Sequence, residues 1–115
     1  MSALAQETCA PCRGGVPPLP ATEAQALLRE VPDWRLSEDG KRIERHVKFR
    51  DFASALEFVT RIGAVAEEAG HHPDLALGWG YVAVSLHTHA IGGLQRADFV
   101  LAAKINALPH PGATG

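Results

Sequence analysis

The chain has 115 residues, a formal net charge of −2 and a hydrophobic content of 46%, values that predict a single soluble globular domain with its own core. The near-neutral charge and the lack of a basic stripe exclude a primary nucleic-acid binder. No stretch approaches the ~20 consecutive apolar residues of a membrane-spanning helix.

The N-terminal segment, residues 1–18, is predicted to be a flexible leader. Met1 to Pro20 contain neither a cationic start nor a long apolar run, so no secretory signal is expected. Two cysteines without an export signal indicate a reducing compartment, and we expect a cytoplasmic protein. Cys9 and Cys12 form a C-x-x-C motif without further ligands or a strand-to-helix context, so we expect them to do no chemistry.

Helical and strand patterns alternate along the rest of the chain. In order, the predicted elements are a helix, two strands, a helix, two strands and a helix, with approximate bounds 23–30, 34–36, 42–49, 51–69, 75–79, 82–86 and 95–107. Thr22 with Gln25 predicts a capping box for the first helix, and Asp39-Gly40 predicts a turn between the first two strands. Alternating apolar and polar residues in the second strand predict a sheet with one solvent-exposed face.

The long helix over 51–69 is the best-defined predicted element. Its apolar residues recur at i, i+3, i+4 and i+7 spacing, and Gly70 stands where a left-handed residue ends a helix, with Pro73 preventing continuation. The element order predicts an α+β domain over 19–109, a four-stranded antiparallel sheet with three helices on one face (α-β-β-α-β-β-α). We expect residues 110–115 to be disordered, and the uncovered face to bind a ligand or another subunit.

Four of the six histidines lie around the second predicted hairpin: His71, His72, His87 and His89. The first two follow the long helix, and the other two follow the last strand. Because residues entering an antiparallel hairpin lie beside residues leaving it, the two groups are predicted to converge at one end of the sheet. Titratable side chains that converge in a loop cleft are typical of a catalytic site.

The surroundings of these histidines predict a division of roles. A helix C-terminus carries partial negative charge, and Glu67 lies four residues before His71, so we expect a raised pKa and a proton-donor role at His71. His89 has no helix C-terminus behind it and is the better candidate for a neutral base.

Metal binding is the alternative interpretation, because a His-His step and one further histidine could supply three ligands. The nearby carboxylates Glu67, Asp74 and Asp98 fit no H-E-x-x-H or comparable pattern. We therefore expect no metal.

The same residues belong to a longer pattern. It reads Glu67-x-x-x-His71-His72-Pro73, then Trp79 after five residues, His89 after nine more and Asp98 after a further eight. This pattern resembles the signature of the pterin-4a-carbinolamine dehydratases. The resemblance extends over roughly Leu19 to Leu108 through Pro32-x-Trp34, Phe49-x-x-Phe52-x-x-Ala55-Leu56-x-Phe58 and Gly93-Leu94 with Asp98-Phe99.

The resemblance implies a fold, an activity and a set of site residues. Members share the α+β arrangement, form dimers or tetramers, and dehydrate 4a-hydroxytetrahydropterin to quinonoid dihydropterin, thereby recycling the pterin of aromatic amino acid hydroxylases without a metal or cofactor. The implied catalytic residues are His71, His72 and His89, supported by Glu67 and Asp98. The implied substrate-binding residues are Gly70, His71, His72, His87, Thr88, His89 and Ala90.

A second function class stays open within the same resemblance. Some family members act as protein partners, one as a coactivator of a homeodomain transcription factor and others in Rubisco assembly. Relatives suspected of having lost the chemistry tend to lack the paired histidines that His71 and His72 provide here. The sequence therefore favours the enzyme.

Overall fold

A computed structural model describes residues 3–7 and 17–114 and shows a four-stranded antiparallel sheet covered on one face by helices. The helices are α1 (Ala21–Leu28), α2 (Phe52–Ala69) and α3 (Arg96–Asn106), and the strands are β1 (Arg35–Leu36), β2 (Ile43–Lys48), β3 (Asp74–Gly78) and β4 (Tyr81–Leu86). Short 3-10 helices occur at Ala3–Gln6 and His89–Ile91. The predicted α+β fold is confirmed. Within the described residues, no helix has the length and hydropathy needed to cross a membrane.

The strand order is β1-β2-β4-β3, so the two predicted hairpins join through their second strands. Ile43 is opposite Leu86, and Val47 is opposite Val82. These four side chains are buried beneath the helices. Since side chains alternate across a strand, their neighbours point away from the helices and form the open face of the sheet.

Local signals explain both ends of α2. The Asp51 carboxylate accepts a hydrogen bond from the Ser54 N–H at 2.8 Å and caps the N-terminus. Gly70 has a φ of 67°, the left-handed conformation that commonly ends helices. Between them, Phe58 and Ile62 are fully buried on the face that covers the sheet. The predicted helix is confirmed, beginning one residue later because Asp51 is the cap.

The predicted capping box of α1 is wrong. The helix begins at Ala21, and Pro20 occupies the cap position without a side-chain hydrogen bond. Thr22 therefore lies inside the first turn, where its hydroxyl cannot cap the helix. A capping box occurs instead at α3, where the side chains of Gln95 and Asp98 each bond to the other's backbone N–H.

The C-terminal segment also differs from expectation. Residues 110–115 are the expected disordered tail; in its described part, 110–114, the Thr114 N–H donates to the Lys48 carbonyl at 2.9 Å, and the Arg50 N–H donates to the Gly112 carbonyl at 2.9 Å. The His110 ring lies 4.6 Å from the Phe58 ring. Backbone pairing beyond the end of β2, together with this ring contact, holds the segment against the domain.

Part of the expected flexible leader contacts α3. Leu4 is 1% exposed, Glu7 forms an ion pair with Arg96 at 2.6 Å, and the Lys104 ammonium donates to the Ala5 carbonyl at 2.9 Å. Residues 3–7 therefore belong to the folded unit. The C-x-x-C motif lies outside the described residues.

Candidate active site

The predicted histidines lie where α2 leads into β3 and where β4 leads into the last 3-10 helix. Gly70 reverses the chain after α2, and the His71 N–H still donates to the Ala66 carbonyl at 3.2 Å. This reversal directs the His71 side chain into the interior, where it is 3% exposed. His72, the next residue, has an exposed side chain. Adjacent histidines are thus placed in opposite environments.

The Asp98 carboxylate joins the two histidine-bearing stretches. Asp98 is fully buried. One oxygen accepts a hydrogen bond from His71 Nε2 at 2.6 Å, and the other accepts from the Thr88 hydroxyl at 2.8 Å and from the Gln95 N–H at 2.9 Å. Through this carboxylate, His71 is tied to the residue that immediately precedes His89.

Glu67 contacts a different histidine from the one expected. Its carboxylate forms a hydrogen bond with His72 Nε2, whereas His71 is paired with Asp98. The i, i+4 relation that predicted a Glu67–His71 contact requires a continuous helix. However, α2 ends at Ala69 and Gly70 turns the chain, so His71 does not continue the helix. The side chain that contacts Glu67 is therefore that of His72.

His87 and His89 form a ring pair on the solvent side of Thr88. Thr88 has extended backbone angles (φ −112°, ψ 105°), and residues two apart in an extended segment project to the same side. His87 Nε2 and His89 Nδ1 are 3.2 Å apart, and the ring centroids are 4.0 Å apart. Burial, followed by the neighbouring charges of His89 and Arg42, lowers the pKa of His87 below its ordinary value.

Asp74 lies beside this ring pair. One of its carboxylate oxygens is 3.8 Å from His87 Nδ1, and Asp74, His87 and His89 each bring one potential ligand atom within 4.8 Å of the others. Asp74 begins β3 opposite Ser85 of β4. The sequence pattern gave Asp74 no role, because its closeness to His87 depends on strand register.

A groove of about 610 Å³ runs along the open face of the sheet. Its lining mixes apolar side chains with polar ones, among them Arg35, Glu44, His46 and Ser85, with Asp74 at the end nearest the histidines. The three predicted catalytic histidines do not line it. The groove and the histidine cluster are therefore adjacent features that share Asp74.

Two of the predicted substrate-binding residues, Gly70 and Ala90, have no polar side chain. Gly70 is exposed at the turn after α2, and Ala90 is exposed in the 3-10 helix that begins at His89. Gln95 was missed: its N–H binds Asp98, and its side-chain amide donates to the Thr88 hydroxyl at 3.2 Å. The spacing Gln95-x-x-Asp98 before a helical pattern was the available signal.

The family model described as Pterin 4 alpha carbinolamine dehydratase matches residues 17–108. The chain belongs to this family. Within the matched region lie the Asp98 carboxylate with its three donors, the Glu67–His72 pair and the His87–His89 pair.

Individual relatives resemble most of the chain. A protein of Cupriavidus pinatubonensis, provisionally named pterin-4-alpha-carbinolamine dehydratase 1, is 55% identical over 105 residues, covering 91% of this chain and 90% of its own. A provisionally named pterin-4-alpha-carbinolamine dehydratase of Halorhodospira halophila is 50% identical and covers 91% of this chain and 96% of its own.

Two solved structures of this dehydratase fold are also similar. The crystal structure of a transcriptional coactivator/pterin dehydratase from Brucella melitensis has a TM-score of 0.74 at 32% identity, covering 78% of this chain and 96% of its own. A pterin dehydratase-like protein identified as a RuBisCO assembly factor in the alpha-carboxysome has a TM-score of 0.56 at 25% identity, covering 65% and 87%.

Proposed function

We propose that the protein dehydrates 4a-hydroxytetrahydropterin to quinonoid dihydropterin and water by histidine general acid/base catalysis, and so recycles the pterin of aromatic amino acid hydroxylases. Family membership supports the reaction class. The observation that carries the site assignment is the buried Asp98 carboxylate, which holds His71 and Thr88 and thereby brings the two histidine-bearing stretches together.

The reaction requires two proton transfers, one to the hydroxyl oxygen on C4a and one from N5. The bond between C4a and the hydroxyl oxygen breaks, and that oxygen must gain a proton because hydroxide is a poor leaving group. N5 loses its proton as the C4a=N5 double bond forms, so the products are quinonoid dihydropterin and water. One proton donor and one acceptor suffice, and each positioned transfer contributes typically ~10²–10⁴-fold. The reaction needs no metal or cofactor.

His72 is the proposed donor. Its Nε2 faces the Glu67 carboxylate, and because an ionised carboxylate only accepts hydrogen bonds, Nε2 carries a hydrogen in either protonation state. Nδ1 is then the atom that exchanges a proton with the substrate. The His72 side chain is 62% exposed, which gives a flat heterocycle access to it.

His89 is the proposed acceptor. Its Nδ1 faces His87 at 3.2 Å, so Nε2 is the atom directed to the substrate. The sequence resemblance groups His71 with these two, but at 3% exposure its ring has little surface to offer a pterin. We assign His71 a positioning role, in which its bond to Asp98 fixes Thr88 and, through the backbone, His89.

A stopped-flow dehydration assay with a synthetic carbinolamine tests this function. His72→Gln and His89→Gln should each lower kcat by about 10²-fold, the lower end of the usual contribution of a general acid or base. His46→Gln is the matched control, because His46 lies on the open face against Tyr81 and outside the cluster. Circular dichroism should show all three folded. Parental rates in both site variants would refute the proposed chemistry.

Glu67→Gln separates orientation from proton transfer. The amide has nearly the same shape but offers His72 a neutral partner, so the rate should fall less than in His72→Gln. A parental rate in Glu67→Gln would show that Glu67 does not act on the reacting imidazole.

The proposed setting is the cytoplasm, as a homodimer or homotetramer, in a cell that contains an aromatic amino acid hydroxylase. Phe52 and Leu56 support self-association, since both side chains are 45% exposed on the outer side of α2. Sedimentation equilibrium should give a mass of two or four chains. A single-chain mass at micromolar concentration would contradict this part of the proposal.

A protein-binding role is the second candidate. The observation that favours it is the pair of similar structures described as a coactivator/pterin dehydratase and as a RuBisCO assembly factor. An inactive purified protein that nevertheless captures one stoichiometric partner would place this role ahead of the enzyme.

A further inference from the structure

Asp74, His87 and His89 form a three-residue cluster that adds one carboxylate to the His87–His89 pair of the proposed reaction. Their ligand atoms lie within 4.8 Å of one another, and the closest pair, His87 Nε2 and His89 Nδ1, is 3.2 Å apart. The Asp74 carboxylate and His89 are exposed, and His87 is half-buried. The cluster is therefore open to ions from solvent.

The spacing of the two imidazole nitrogens matches a chelate. Zinc binds histidine nitrogen at about 2.0–2.1 Å in tetrahedral geometry, which places two ligand nitrogens roughly 3.3 Å apart. The observed separation is 3.2 Å. Asp74 adds an anionic oxygen, and two imidazoles with one carboxylate form a donor set typical of open zinc sites.

The backbone behind the cluster is already fixed. The Thr88 hydroxyl is bonded to buried Asp98, and the Thr88 N–H donates to the Gly93 carbonyl at 2.8 Å. With Thr88 held on the inner side, His87 and His89 must both project outward. Little ordering of the backbone is then needed when an ion binds.

We propose that Asp74, His87 and His89 form a binding site for a divalent transition metal, with Zn²⁺ as the test ion. The bound ion inhibits the enzyme because an ion on His89 Nδ1 leaves the ring hydrogen on Nε2, which then cannot accept a proton. The inhibition rests on the proposed dehydratase function, whereas the binding does not. His71 and His72 are not part of this cluster, and their Nε2 atoms bond to Asp98 and Glu67 instead.

One nearby charge opposes the ion. The Arg42 guanidinium donates to Ser85 at 3.0 Å, and Ser85 is opposite Asp74 in the sheet. Three ligands with the Arg42 guanidinium nearby predict a weaker affinity than that of closed four-ligand sites. Such affinity suits reversible inhibition.

Isothermal titration calorimetry with ZnCl₂ on the EDTA-treated full chain tests the site. Because Cys9 and Cys12 are potential zinc ligands, all proteins carry Cys9→Ser and Cys12→Ser. One ion should bind per chain, with affinity reduced at least tenfold by His87→Ala and severalfold by Asp74→Asn. His46→Ala is the matched control and should bind as the parent does. Equal weakening by His46→Ala and His87→Ala, or no binding at all, would overturn the site.

The dehydration assay with added Zn²⁺ tests the inhibition. Zinc should inhibit the parent, and Asp74→Asn should keep the metal-free rate while requiring severalfold more zinc for half-inhibition. Activity that zinc leaves unchanged at concentrations saturating in calorimetry would refute the inhibition. His87-dependent zinc binding in a protein without dehydratase activity would refute the proposed function but not the metal site.

Discussion

Replacement of the Asp98 carboxylate should be among the most destabilising single changes in this domain. Asp98 is fully buried and accepts hydrogen bonds from His71, Thr88 and Gln95. Asp98→Ala leaves these donors without their acceptor. A buried donor without a partner costs about 1–3 kcal/mol.

The expected loss follows from counting the donors that cannot be redirected. The Thr88 hydroxyl can rotate, so the two N–H groups of His71 and Gln95 dominate, and the expected loss is about 2–6 kcal/mol. Small domains are stable by only ~5–15 kcal/mol. Asp98→Asn keeps the shape: its carbonyl oxygen can serve Gln95 and Thr88 while its amide faces His71, so about 1–3 kcal/mol is expected.

Urea unfolding followed by tryptophan fluorescence measures both losses, because Trp34 is only 5% exposed in the native state. Asp39→Ala is the control. Asp39 also accepts hydrogen bonds, from the Ser37 hydroxyl at 2.7 Å and the Lys41 N–H at 3.0 Å, but it is exposed and water can replace it. Its loss should stay below about 1 kcal/mol. If Asp98→Ala cost no more than Asp39→Ala, the buried carboxylate would not be holding the site together.

Four further substitutions, the first two of them a matched pair, test the fold. Gly70→Ala should cost about 1–2 kcal/mol because an L-residue resists the left-handed φ of 67°, whereas Gly63→Ala, where a new Cβ meets nothing within 4 Å inside α2, should gain about 0.5–1 kcal/mol; equal effects in urea unfolding would contradict this. Asn106→Ala should cost about 1–3 kcal/mol because the Asn106 carbonyl accepts from Trp34 Nε1 at 2.9 Å, and a loss below 0.5 kcal/mol would show that water replaces it. Burial lowers the pKa of His110 below 6.5, so the unfolded chain binds that proton more readily and stability is lost as pH falls below ~6.5. His110→Asn should therefore lose less stability than the parent between pH 7 and pH 5, and an identical pH dependence would refute the assignment.

Local sequence signals were sufficient to predict the helices and strands, but not the order of the strands in the sheet. The bounds of α2 followed from apolar spacing and from Gly70, because both act within one or two turns. The central pairing of β2 with β4 joins residues about forty positions apart, such as Ile43 and Leu86. No turn signal specifies that pairing, which comes from burying the apolar faces of both hairpins under the same helices.

The candidate site shows the same limit at finer scale. Convergence of the two histidine stretches could be predicted from hairpin geometry, but the partners of His71 and His72 could not. The i, i+4 spacing predicted a contact between Glu67 and His71. Because Gly70 is left-handed, Glu67 contacts His72 instead. The closeness of Asp74 to His87 depends on the register of β3 against β4, which local sequence patterns do not determine.

The family model begins at residue 17, yet Leu4 is buried and Glu7 is paired with Arg96 ahead of that point. A recombinant protein trimmed to residues 17–108 would uncover the part of α3 that Leu4 covers and would leave the Arg96 guanidinium without its carboxylate. A comparison of melting temperatures among relatives trimmed in this way would then include the loss of residues 3–7 from this chain. A lower melting temperature would not by itself show that its core is packed less well.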